Sequence, residues 1–180
     1  RVQHVVHELG VLALAYALWR QQRRTPPPVQ QSRPPSAPAA PQDMVACAHC
    51  GAANRIPADR LGDDPNCGRC HQPLLTGEPV ALSDADFDRV VNATSLPVVV
   101  DFWAAWCGPC RAMAPQFEAA ARQLKGRALF VKVDSDASPQ LSQRFGIRSI
   151  PTLLRLDGGR ERGRQSGSLP AAQIVGFALQ

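Results

Sequence analysis

The chain lacks a long hydrophobic run. Its apolar stretch, Gly10–Trp19, lies between His7-Glu8 and Arg20, and falls well short of the ~20 residues a bilayer helix needs. Aromatic residues are few, at 6%, although an apolar content of 44% suits a globular core. A concentrated basic face is missing too. The formal charge is +5, but residues 1–43 hold five Arg against Glu8 and Asp43, which leaves the rest of the chain only +2. A reader of phosphates needs a denser cationic footprint, so no nucleic-acid partner is expected. Nor is any cysteine left over: Cys47/Cys50, Cys67/Cys70 and Cys107/Cys110 are three Cys-x-x-Cys pairs. That pairing points to metal ligation and redox chemistry in a reducing compartment, rather than to the disulfide framework of a small secreted protein. At 180 residues, one ordinary domain plus a small module is the size limit.

Three readings of residues 1–24 are open: the tail of a longer membrane anchor, a signal-peptide core, or a non-native or disordered extension. Arg20, Arg23 and Arg24 lie on the wrong side for a signal peptide. In an anchor they would hold the following domains in the cytoplasm. The third reading is preferred, and a membrane contact is expected only if the first holds. Residues 25–43 carry seven of the chain's 17 prolines and read as an extended linker. No methionine precedes Met44, where organised sequence begins. Met44 is therefore expected to be the natural initiator; native peptides from upstream of it would overturn that.

The expected organisation is an extension and linker over 1–43, a Cys-rich module over 44–76 and an α/β domain over 77–180. Ser83 with Asp86 reads as a capping box for a short helix through Val91. Val98–Phe102 is a β-branched run suited to a central strand. Pro109 to Leu124 reads as a helix kinked by Pro115, Leu129–Val133 as a strand, and Ser138–Phe145 as a short helix. Thr152–Leu156 and Glu161–Gln165 flank the hairpin signal Asp157-Gly158-Gly159. A last helix is expected from a Ser168 cap, with Pro170 in its first turn, to Leu179. This order predicts an α/β fold, a mixed central sheet flanked by helices.

Cys107 and Cys110 are placed between a strand and a helix. A thiolate attacks a disulfide sulfur, and a second thiol nearby releases the mixed disulfide; two Cys two residues apart supply both. At the helix N-terminus, Cys107 is favoured as thiolate by the dipole and free N–H groups, and Cys110, one turn in, is the sheltered resolving thiol. Gly108-Pro109 makes the turn stiff. The alternative, half of another metal site, lacks a second free Cys pair.

Val100-Asp101-Phe102-Trp103-Ala104-Ala105-Trp106-Cys107-Gly108-Pro109-Cys110 resembles the active-site segment of the thioredoxin family, and Ile147-Arg148-Ser149-Ile150-Pro151-Thr152 its second hallmark. The resemblance covers residues 80–180 and implies the thioredoxin fold. It also implies a cis Pro151 facing the dithiol, with the Ile150 backbone pairing with a substrate strand. Asp101 would be the buried carboxylate exchanging a proton with Cys110, and Lys132 its electrostatic neighbour. Trp106, Gly108, Pro109 and Gly167 would complete the substrate groove. From the residues alone, Asp101 interrupting an apolar run needs either a job or an exposed strand end, and Lys132 between two valines also fits an ordinary solvent-facing residue. Arg111 and Ser149 stand where the family often has other residues, and the last helix ends early.

Cys47-Ala48-His49-Cys50 and Cys67-Gly68-Arg69-Cys70 have the spacing of a structural zinc site with four cysteine ligands. Four thiolates would close the coordination shell of one Zn2+, leaving no open position for catalysis, and the metal would supply the stability so small a module lacks. His49 and His71 are read as exposed. Arg55, Arg60 and Arg69 are offset by Asp59, Asp63 and Asp64. Cys47–Pro57 resembles the N-terminal module of the second type of bacterial thioredoxin. The expectation is a monomeric cytoplasmic protein-disulfide reductase with no bound organic cofactor, and the resemblance implies that an NADPH-linked thioredoxin reductase recycles it. Two rivals are a tethered disulfide oxidase or isomerase, disfavoured by Gly108-Pro109, and a redox-sensing zinc adaptor or holdase.

Overall fold

The computed structural model describes Trp19–Arg20 and residues 42–180. The chain divides into two compact units, 1–38 and 39–180; of the first, only Trp19 and Arg20 are described, as helical. The expectations for the anchor or signal peptide and for the proline-rich linker fall almost wholly outside the described residues. No helix among those described is long and apolar enough to cross a membrane.

The second unit opens with an antiparallel pair, β1 (Gln42–Ala46) and β2 (Ala53–Pro57), followed by a 3-10 turn at Ala58–Arg60. Strand β1 thus starts ahead of Met44. A five-stranded sheet follows, made of β3 (Val80–Ala81), β4 (Val98–Trp103), β5 (Leu129–Asp134), β6 (Thr152–Asp157) and β7 (Arg160–Ser166), in the order β3-β5-β4-β6-β7. β3, β5 and β4 are parallel, whereas β6 and β7 are antiparallel to their neighbours. The helices are α1 (Phe87–Val91), α2 (Gly108–Gln123), α3 (Pro139–Arg144) and α4 (Ala171–Ala178). This is the expected mixed sheet between helices.

Alternation along the strands sorts the core. Val98, Val100 and Phe102 pack with Phe87, Val90 and Leu141 of α1 and α3. Val99 faces the other way, with Phe130 and Leu153, onto Met113 and Phe117 of α2 and Ile174 and Phe177 of α4. By the same parity Asp101 and Lys132, which are register partners across β4 and β5, belong to the α2 side of the sheet.

Two boundaries differ from expectation. The first helix starts at Phe87, because the Ser83 hydroxyl donates to the Asp86 carboxylate at 3.0 Å while the Ser83 carbonyl takes the Asp86 and Phe87 N–H groups; no side chain caps the helix locally. The last helix starts at Ala171, with Pro170 rather than Ser168 in the cap position. Its Ala171 N–H is satisfied by Gln116 Oε1 of α2, 3.1 Å away. Helix α2 continues through Pro115, which is exposed.

The Cys-rich module is fastened to the residues that follow α1. Ala46 N–H donates to Thr94 Oγ1 (3.2 Å), and that hydroxyl donates to Val90 O (2.8 Å). Met44 and Ser95 exchange bonds, Met44 N–H to Ser95 Oγ at 3.0 Å and Ser95 N–H to Met44 O at 2.8 Å. Lys125 pairs with Asp64. Val45, Ile56, Leu61, Leu74 and Leu75 belong to the same buried cluster as Phe87 and Val98.

Candidate functional site

Cys107 and Cys110 form a disulfide at the start of α2. Cys107 is the N-cap residue, in extended conformation, and its sulfur accepts the Cys110 N–H at 3.2 Å. The helix therefore turns an otherwise unpaired N–H toward that sulfur, the arrangement that favours negative charge on it. Both sulfur-bearing residues are buried, in a small cluster with Ala104, Trp103 and Ile150. Ile150 O lies 3.7 Å from Cys107 Sγ, and the Ile150–Pro151 peptide bond is cis. Gly167, at φ 94°, donates its N–H to Pro151 O at 2.9 Å. Trp106 is 67% exposed; its Nε1–H donates to Asp136 Oδ2 at 2.8 Å.

Asp101 is fully buried, and neither carboxylate oxygen has a hydrogen-bond partner among the described residues. Burial lifts its pKa to about 7, and the positive charge of Lys132 opposes that rise. The Lys132 ammonium is held over the Trp103 ring, 4.4 Å from its centroid. The exposed-strand-end reading of Asp101 thus fails, as does the solvent-facing reading of Lys132, which is half-buried beside it.

Cys47, Cys50, Cys67 and Cys70 bring their sulfurs within 4.8 Å of one another. The two pairs sit in matching turns. Gly51 N–H bonds Cys47 O, and His71 N–H bonds Cys67 O, at 2.8 and 2.9 Å. Cys47 N–H reaches Ala52 O, and Cys67 N–H reaches Gln72 O, at 2.9 and 2.8 Å. Gly51 and His71 both have positive φ, 73° and 60°. His49 and His71 are exposed.

Two family models match this sequence: thioredoxin over residues 78–180 and the N-terminal domain of thioredoxin 2 over residues 46–72. The chain belongs to the thioredoxin family. Thioredoxin C-3 of Corynebacterium nephridii is 44% identical over 131 residues, 73% of this chain and 90% of that protein. A thioredoxin of Haemophilus influenzae is 40% identical over 103 residues, covering 57% and 96%. Among solved structures, a chloroplastic thioredoxin z superimposes with a TM-score of 0.53 at 33% identity, over 57% of this chain and 93% of that one. As a thioredoxin, the protein is a protein-disulfide oxidoreductase.

The sulfur cluster of this thioredoxin fits zinc. A tetrahedral ion with Zn–S bonds of ~2.3 Å needs sulfurs about 3.8 Å apart. Cys47 and Cys70 lie 3.6 Å apart, and Cys50 and Cys67 lie 3.7 Å apart. The donor chemistry agrees. Backbone N–H groups of Cys70 and Arg69 pull the Cys67 thiol down to about 6. Cys70 is pushed up to about 12, because burial and the neighbouring sulfurs outweigh the Gln72 N–H. Four sulfurs so close cannot all ionise without a cation among them. Asn54 Nδ2 reaches Cys67 Sγ at 3.7 Å, and Arg69 N–H reaches it at 3.4 Å, orienting a prospective ligand.

Of the residues anticipated around the dithiol, Ile150 lies against Cys107, Pro151 carries the cis bond beside it and accepts from Gly167, and Gly108 and Pro109 form the first turn of α2. Asp101 and Lys132 are register partners on the α2 side of the sheet, and the Trp106 side chain turns to Asp136. Asp136 was not anticipated as a neighbour of the site, and no role there was assigned to Trp103 or Arg111. Arg111 Nη1 donates to Ala105 O at 3.1 Å, tying the helix to the loop that bears Trp106. The signal available for Asp136 was its place directly after β5, at the same end of the sheet as Trp103.

Proposed function

We propose that the protein reduces disulfides in other proteins by dithiol exchange, with Cys107 as nucleophile and Cys110 as resolving thiol. The observation that carries this reading is the Cys107 sulfur at the α2 N-terminus, accepting the Cys110 N–H and lying beside Ile150 O. The Cys107 thiolate attacks one sulfur of the target, forming a mixed disulfide and expelling one target thiolate. Cys110 then attacks Cys107, which forms the intramolecular disulfide and frees the second target thiolate. The target gains two electrons and the protein loses them. An NADPH-linked thioredoxin reductase restores the dithiol.

Asp101 serves as the proton acceptor for Cys110. A carboxyl with its pKa near 7 changes charge at neutral pH, which a general base for a thiol needs. Lys132 limits the upward shift. Trp106, Gly108, Pro109 and Gly167 line the groove, and Ile150–Pro151 is the platform for an extended target strand, whose backbone pairs with Ile150. Cys47, Cys50, Cys67 and Cys70 hold one structural Zn2+, which cross-links the module over residues 44–76 and leaves catalysis to residues 77–180. The protein works as a cytoplasmic monomer on disulfide-containing proteins.

The test is insulin reduction coupled to NADPH and thioredoxin reductase. Cys107→Ser is expected to abolish turnover, whereas Cys110→Ser should trap a mixed disulfide with the target. Turnover surviving in Cys107→Ser would overturn the assignment.

A further inference from the structure

The loop that carries Ile150 is anchored at its far end by a side chain from the sheet edge. Helix α3 closes with two backbone bonds, Gly146 N–H to Gln143 O at 3.0 Å and Ile147 N–H to Ser142 O at 2.8 Å. These satisfy two of the carbonyls that a helix C-terminus leaves free. The Phe145 carbonyl comes next, and Arg164 Nη2 donates to it at 2.6 Å. The same guanidinium is gripped by Glu161, with Nε to Oε1 and Nη2 to Oε2 both at 2.9 Å. A planar fork held at two nitrogens by one carboxylate keeps little freedom, so its third bond is made from a preset position.

Phe145 is fixed on its other side as well. Its ring packs edge-on against Phe87 and Phe102, with centroids 5.7 and 5.9 Å away. From this fixed residue the chain runs through Arg148 and Ser149 to Ile150. There Thr152 Oγ1 donates to Ser149 O at 2.8 Å. The segment facing Cys107 is thus suspended between two attachments, one of which belongs to β7 and lies outside the groove.

We propose that Arg164, braced by Glu161, is a positioning residue for the Ile150–Pro151 segment, setting where its backbone meets an incoming polypeptide strand. This rests on the reading of Ile150–Pro151 as the substrate platform. Among the described residues, the hydrogen bonds of the Arg164 side chain go to Glu161 and Phe145, so its influence on the reaction runs through the loop. A disulfide borne on a polypeptide feels the platform; a small disulfide with no backbone to pair does not. Arg164 therefore favours protein disulfides over small ones.

The experiment compares insulin with hydroxyethyl disulfide, using dithiothreitol as reductant. Arg164→Met keeps the aliphatic stem and removes the donors; Glu161→Gln weakens only the brace; Pro151→Ala probes the platform itself. Arg164→Met is expected to raise KM for insulin about fivefold. Its kcat, and its rate with hydroxyethyl disulfide, should change less than about twofold. Glu161→Gln should shift KM in the same direction by less. Amide exchange at Ser149 and Ile150 should quicken in both variants, a readout that remains if Arg164→Met folds poorly. If Pro151→Ala raises the insulin KM and Arg164→Met does not, the strut inference fails alone. Equal losses on both disulfides in Arg164→Met overturn it too. If Pro151→Ala leaves the insulin KM unchanged, the platform reading fails and takes this inference with it.

Discussion

Asp101 is an expensive residue to bury. Its carboxyl titrates near 7 in the folded chain, against about 3.9 when unfolded. Between those values the folded state binds a proton that the unfolded state has released, so stability falls as pH rises through that window. Stability is greatest below about pH 4 and reaches its floor above about pH 7 as far as this group is concerned. Asp101→Asn should therefore stabilise the protein at pH 8, by at most about 4 kcal/mol, and change little at pH 4. Urea unfolding of both proteins at the two pH values checks this, and an equal gain at both would sink it. The same change should slow the release of mixed disulfides, because the proton acceptor is gone.

At this scale the sequence was informative where chemistry conflicted with pattern. A carboxylate inside Val98–Phe102 called for either a job or an exposed strand end, and the structure decides it: Asp101 is buried on the α2 side of the sheet. Arg164 gave no such sign. Its bond to Phe145 depends on the register of β6 and β7, which slips at Arg155/Leu156. No local pattern of Arg and Glu encodes that slip.

The elements were legible in proportion to their periodicity. β4, β5, β6 and α2 are long and apolar on a defined face, and their expected and observed limits nearly coincide. β1 and β2 were missed because Gln42–Ala46 and Ala53–Pro57 are short and show no alternation of polar and apolar residues, and β3 has only two residues. The start of α4 was misplaced because its first N–H is satisfied from α2, a contact with no local signature. One junction between elements is especially tight. Gly126, at φ 76°, would place a Cβ 3.0 Å from the backbone of Leu61 and Gly62, just beyond α2 and against the Cys-rich module. Gly126→Ala incurs both the left-handed backbone penalty and the displacement of main chain that cannot rotate away. A loss of about 2 kcal/mol is expected in urea unfolding, along with faster amide exchange at Leu61 and Gly62. A neutral substitution would show that the module yields at this contact.

For the whole molecule, one buried cluster runs from Val45 and Leu74 to Phe87 and Val98, so the module and the redox domain share a core rather than a linker. Removing metal from the reduced protein should lower the single thermal transition by several degrees, and added Zn2+ should restore it. Calorimetry with and without chelator would reveal this; two transitions, with only the smaller one moved by chelator, would show the module melting on its own. The grouping of the four cysteines was readable from their spacing, but the attachment of the module was not, since its hydrogen bonds go to Thr94 and Ser95, which carry no motif.

The two ends of the central sheet protect it from other copies in different ways. β3 is too short to serve as a template. β7 is long enough, but it carries Arg160, Arg162 and Arg164, all exposed. A second copy laid along it would bring guanidinium rows together before main-chain bonds could form. Charge along an edge strand discourages a second strand from pairing there, even though Glu161 and Asp157 already partner Arg164 and Arg162; replacing these residues with apolar ones would turn a quiet border into an adhesive one.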